Sequence, residues 1–116
     1  MSTSTREQST KYQLVFYVPK ENTDLVLQAV HTAGAGRWPG GLYEDCAFVS
    51  DGTGSFKPTE KANPHIGSSG SPEKVAEHKV EVVCLGREST ARAVEALKKA
   101  HPYEQVAYFV FKAEDI

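Results

Sequence analysis

A two-layer α+β sandwich, with two helices on one face of a four-stranded antiparallel sheet, is predicted by three observations. Four apolar segments alternate with the period of a half-buried strand, two others repeat at helical spacing, and the order is strand, helix, strand, long connection, strand, helix, strand. At 116 residues the chain is near the common size of one domain. Residues 11–116 are therefore read as a single unit with a long connection at 51–72, behind a Ser- and Thr-rich segment at 1–10 that has nothing to bury and is expected to be a mobile tail.

The first strand is predicted over 12–18, where Tyr12, Leu14, Phe16 and Val18 share one face and Val15 and Tyr17 make the other partly apolar, as suits a central strand. Beyond Pro19, residues 22–33 carry Leu25, Val26, Ala29, Val30 and Ala33 at helical spacing, with Asn22 or Thr23 as cap and Gly34 as terminator. Residues 34–41 hold four glycines and a proline around Arg37 and Trp38, which makes them a connection rather than more helix. A second strand is predicted over 42–50, with Cys46 and Phe48 on one face. The Gly-, Pro-, Ser- and Asn-rich stretch 51–72 exceeds an ordinary loop, and a small hairpin around 55–59 is one of its options.

Alternation is cleanest over 75–85, where His78, Val80, Val82 and Cys84 point one way and Glu77, Lys79 and Glu81 the other. The second helix starts at Ser89 or a neighbour and presents Ala93, Val94, Ala96, Leu97 and Ala100, with Lys98 and Lys99 favourably placed at its C-terminal end. Pro102 stops it, and the last strand is predicted over 106–111. Two strand-helix-strand units of similar size give the ferredoxin-like βαββαβ topology. One sheet face then lacks helices, so aromatics such as Tyr17, Tyr108 or Phe109 need a cover, and self-association is the simplest one.

Thirteen basic and fifteen acidic residues leave a net charge of -2, which argues against a nucleic-acid surface and against an anionic-membrane binder. No run approaches the roughly eighteen apolar residues of a membrane span, and the N-terminus lacks the apolar centre of a secretory signal, so a soluble cytoplasmic protein is expected. The two cysteines, Cys46 and Cys84, sit in apolar strand-like runs without CxxC spacing and are read as reduced, buried thiols, poor candidates for a nucleophile.

Val18-Pro19, Gly34-Ala35-Gly36, Tyr43 with Cys46 and Phe48, Gly52-Thr53-Gly54 with Phe56 and Pro58, Asn63-Pro64-His65-Ile66-Gly67, Glu77 and His101-Pro102-Tyr103-Glu104 follow one another across 12–111. Together they resemble the inserted domain of the Nif-three-like dinuclear-metal proteins, itself similar to the PII and CutA group. The resemblance implies a PII/CutA-like form of the fold, a homo-oligomer with a trimer favoured, and a non-catalytic regulatory, ligand-sensing or assembly role. It also implies that the two metals of full-length relatives are held by segments flanking this domain, outside these 116 residues. Two departures stand out: Arg37-Trp38-Pro39-Gly40-Gly41 lengthens the loop before Tyr43, and Phe109 replaces a carboxylate frequent late in the last strand.

The His101-Pro102-Tyr103-Glu104 corner places an imidazole, a rigid turn and a carboxylate at one element junction, which suits a binding edge and equally an ordinary helix stop. The candidate ligand-binding residues are Tyr43, His65, Glu77, His101, Tyr103 and Glu104, and no catalytic residue is assigned. A divalent metal ion is the one cofactor considered, with His65, His101 and Glu104 as its ligands; the enzyme alternative is a metal-assisted hydrolase built on them, with Glu77 as base. Plainer readings stand beside these: His65 shapes its loop, His78 is a satisfied core histidine, and His101 caps the helix through its charge. Residues 34–41 with Arg37 suggest an anion cradle, but phosphate loops put their glycines between a strand and a helix start, so a close-packed turn is favoured.

Overall fold

Strand β1, Lys11–Pro19, runs through the middle of the sheet because both of its faces are apolar enough to be covered. The computed structural model of the chain describes residues 10–116, so nearly all of the predicted tail lies outside the described residues. After a 3-10 turn at Lys20–Asn22 come helix α1, Thr23–Thr32, and strand β2, Phe48–Phe56. Strand β3, Glu73–Leu85, helix α2, Arg87–Ala100, and strand β4, Tyr108–Lys112, complete the order. The sheet order is β2-β3-β1-β4 with every neighbouring pair antiparallel, which is the predicted ferredoxin-like topology.

Register explains the core. Tyr12, Leu14, Phe16 and Val18 lie opposite Cys84, Val82, Val80 and His78, so one face of the two central strands is apolar along most of its length. Val26 and Val30 of α1 and Ala93 and Leu97 of α2 cover it, and all are buried. Each fully buried side chain of this size contributes about 1.5–3 kcal/mol relative to exposure. The apolar stripe of α1 is narrower than the sequence suggests, for Leu25 is 61% exposed and Thr23 takes its place in the interior.

Thr23 is inside because it has a polar partner. Its Oγ1 lies 2.7 Å from His78 Nδ1, while His78 Nε2 lies 2.9 Å from Asp51 Oδ1, so with the ring proton on Nε2 the Nδ1 accepts from the hydroxyl. Lys20 Nζ sits 3.3 Å from the same Asp51 oxygen, and that ammonium, ahead of His78, holds the exposed carboxyl below its ordinary value. His78 is thus a satisfied histidine, as its apolar neighbours suggest. Thr23→Val removes the donor and is expected to cost about 1 kcal/mol, read as a lower midpoint in urea unfolding.

Three expectations change. Strand β2 begins six residues later than predicted and extends through Gly52 and Gly54, so residues 42–47 form loop and no hairpin occurs at 55–59. The β3 edge explains the shift. Gly36 N–H donates to Val83 O at 2.7 Å and Cys46 N–H to Gly36 O at 2.9 Å, so the glycine-rich turn occupies the edge beyond Glu81, where β2 pairing ends at Phe48. This turn is close-packed, since at φ +87° a Cβ on Gly36 would meet the His31 ring and Cys46 O. Cys46 accordingly lies in loop and is partly exposed, whereas Cys84 is fully buried and burial pushes its thiol up to about 11. Tyr108 pairs with Phe16 and packs on the helix side, with Lys98 Nζ 5.3 Å from its ring centroid, rather than on the open face. No helix among the described residues is long and apolar enough to cross a membrane.

Candidate functional site

Helix α2 ends where Pro102 prevents another helical turn, and His101 adopts extended backbone at the junction. Its ring fills a gap in the sheet. Tyr17 N–H reaches Ala107 O at 3.2 Å, but β4 pairing stops at Phe16 and Tyr108, so the Tyr17 carbonyl needs another donor. His101 Nε2 supplies it at 2.7 Å, and Nδ1 accepts the Tyr103 N–H at 3.1 Å. The imidazole is therefore neutral, protonated on Nε2. Burial, the largest cause, holds it below its ordinary value of 6.5, against the upward pull of the Tyr17 carbonyl and of Glu77. His101 acts at the helix end as a neutral bridge, not as a charged cap.

That bridge aims Tyr103. Its ring stands edge-on to His101 with centroids 5.0 Å apart and tilts toward Phe56 at 6.1 Å and His65 at 6.3 Å. The phenol donates to Glu77 Oε2 at 3.1 Å, and burial first, then the Glu77 carboxylate, push it up to about 12. Glu104 accepts the Asn63 N–H on both carboxylate oxygens, at 3.1 and 3.0 Å. This contact joins the Asn63-Pro64-His65 motif to the corner after α2, across 41 positions of sequence.

Between the connection 57–72, the corner and the open sheet face lies a cavity of about 400 Å³. Tyr17, Phe56, Pro58, Ile66 and Val106 give it a largely apolar wall, with Glu77 on the sheet and His65, Tyr103 and Glu104 around it. Size and lining fall within the range of small-molecule sites. Four of the six residues singled out from sequence thus share one cavity, and His101 supports it from behind. Tyr43 does not join them: it lies 70% exposed in the 42–47 loop.

Of the proposed metal ligands, His65 and Glu104 share the cavity while the His101 ring is turned to the backbone. Both ring nitrogens of His101 are engaged, Glu104 is bound to the Asn63 amide, and no group of three His, Cys, Asp or Glu among the described residues is placed to hold a metal ion. These residues do not fit a divalent cation without breaking the bonds that shape the corner. Tyr17, Phe56 and Ile66 escaped notice as cavity residues, although the odd-numbered face of β1 already carried Tyr17 as an aromatic without a covering helix.

No protein-family model matches the chain. Curated relatives do: a GTP cyclohydrolase 1 type 2 homolog of Halalkalibacterium halodurans is 44% identical over 100 residues, covering 86% of this chain and 26% of that protein. A Bacillus subtilis protein of the same name is 43% identical over 102 residues, covering 88% and 26%. Among solved structures, a Bacillus cereus protein related to NIF3 superposes with TM-score 0.76 at 33% identity over 92% of this chain and 26% of that one. The chain corresponds to the PII/CutA-like domain of NIF3-related proteins.

This NIF3-related domain spans about a quarter of the length of the relatives it matches. Archaeoglobus fulgidus CutA (TM-score 0.63, 14% identity) and Bacillus subtilis GlnK (TM-score 0.58, 12% identity) share its fold along most of their own chains, covered to 85% and 84%.

Proposed function

We propose that this domain is a non-catalytic ligand-sensing and assembly module. The observation that carries the reading is the coupling of the cavity to the long connection: Glu104 ties the corner to Asn63, and both segments wall the same space. A small ligand seated on Glu77 and Tyr103 bears on the connection directly, and the connection is largely exposed to a partner. The name GTP cyclohydrolase 1 type 2 homolog belongs to the longer relatives, and the donor groups described above give no support for carrying a metal-dependent reaction onto this domain.

Assembly rests on the open sheet face. Phe109 and Phe111 of β4 stack there at 6.1 Å and are each 54% exposed, beside Val15, with Phe48 exposed at the far edge of the same face. Such a surface favours burial against copies of the chain, with a trimer as the assembly proposed. Size-exclusion chromatography with light scattering at micromolar concentration is expected to give three chains per particle, and Phe111→Asp is expected to yield monomer. A wild-type protein that elutes only as monomer removes the assembly half of this reading.

A further inference from the structure

We infer that the cavity selects a small alkylammonium ion, one bearing N–H donors on an apolar body. The inference rests on the reading of the cavity as a ligand site and adds the charge and shape of what it takes. Glu77 is 9% exposed, and among the described residues its carboxylate accepts one hydrogen bond, from the Tyr103 phenol to Oε2. Oε1 lies over Gly54, where no Cβ intrudes, and with no protein donor to it and no buried unsatisfied side-chain oxygen among the described residues, it is the oxygen left open to solvent or a ligand. A carboxylate with one neutral donor and its other oxygen open offers a cation a charge-assisted hydrogen bond.

Among the described residues, His65 is the one basic side chain in the lining. No Lys or Arg of those residues joins it, while Glu104 adds a second carboxylate to the cavity wall, and Glu21 stands near enough to help raise the Tyr103 phenol. Tyr17, Phe56 and Tyr103 contribute ring faces or edges, and Pro58, Ile66 and Val106 contribute aliphatic surface. Aromatic rings around a carboxylate attract an ammonium through the ring quadrupole and the charge together. The same charges oppose a phosphorylated ligand, so the nucleotide named in the GlnK complex with ATP is the wrong sign for this cavity. A quaternary ammonium is a poorer match than a primary one, because only an N–H can satisfy Oε1.

Isothermal titration of the full chain near pH 7.5 with benzylammonium, benzyl alcohol and phenylacetate tests the charge on one shape. Benzylammonium is expected to bind about tenfold or more tightly than benzyl alcohol, with phenylacetate weakest, and Glu77→Gln is expected to erase that preference. Amide shifts in NMR at Gly54, Glu77 and Tyr103 on adding benzylammonium place the binding. If benzyl alcohol or phenylacetate binds as well as benzylammonium, the cation inference falls while the cavity remains a ligand site; if none of the three binds at millimolar concentration, both fall. Should Glu77→Gln not fold, the ranking of the three probes on the wild-type chain decides alone.

Discussion

Replacing His101 with Ala is expected to cost the domain about 3 kcal/mol, measured as a shift of the urea midpoint at constant slope. Two part-buried groups lose their partners at once: the Tyr17 carbonyl of a central strand and the Tyr103 amide that sets the corner. Among the described residues the Tyr17 carbonyl has no other donor in the sheet, because β4 pairing ends at Phe16 and Pro102 beside the ring has no N–H to offer. His101→Gln keeps a donor near the Nε2 position and should recover part of the loss, which separates the Tyr17 bond from the Tyr103 bond.

The same residue gives the domain a pH dependence of known sign. The unfolded chain takes up a proton on His101 near 6.5, whereas the folded chain resists it, because burial disfavours the cation and Nδ1 is already accepting from Tyr103. Stability is therefore complete above about pH 6.5 and falls as the pH drops through that value toward the lower folded one. Glu77, which pulls the imidazole up, and His65, which pushes it down, both face it from the cavity side. Thermal melts from about pH 7.5 to about pH 5 should show a steeper loss for wild type than for His101→Gln. Equal slopes in the two proteins remove His101 as the titrating group.

How far the sequence reads this site depends on the kind of signal. Period-two and period-3.6 patterns place both helices and three of the four strands, since burial on one face is what selects them, and the motif residues Glu77, Tyr103, Glu104 and His65 do converge. The errors fall where backbone pairing overrides side-chain pattern. Leu42 and Tyr43 look like strand residues, but Gly36 already occupies the β3 edge they would need, while Gly52 and Gly54 look like a turn yet continue the ladder. His101 shows a second limit: a histidine before proline reads equally as cap or ligand, and only the end of β4 pairing beside Tyr17, 84 residues away in sequence, decides that it serves a strand carbonyl.

Gly54 and Gly52 make the sharpest test of the cavity because they occupy the same face of the same strand with different surroundings. A Cβ at Gly52 meets nothing within 4 Å, whereas one at Gly54 would overlap Glu77 Oε1 and Cδ. Gly52→Ala is thus expected to stay within about 0.5 kcal/mol of wild type. Gly54→Ala must swing the carboxylate away, and because Glu77 is buried and bonded to Tyr103, that movement breaks the pair and costs about 1–2 kcal/mol. A spectroscopic sign should accompany the loss. Glu77 is one of the groups that push the Tyr103 phenol up to about 12, so ultraviolet titration should find that phenol ionising closer to its ordinary value in Gly54→Ala and unchanged in Gly52→Ala. The glycine at 54 is then explained by the carboxylate it admits rather than by any turn: it is the backbone opening through which Glu77 reaches the cavity, and closing it should abolish benzylammonium binding while the fold persists. Retention of wild-type affinity in Gly54→Ala would show that Glu77 is not where the cation sits.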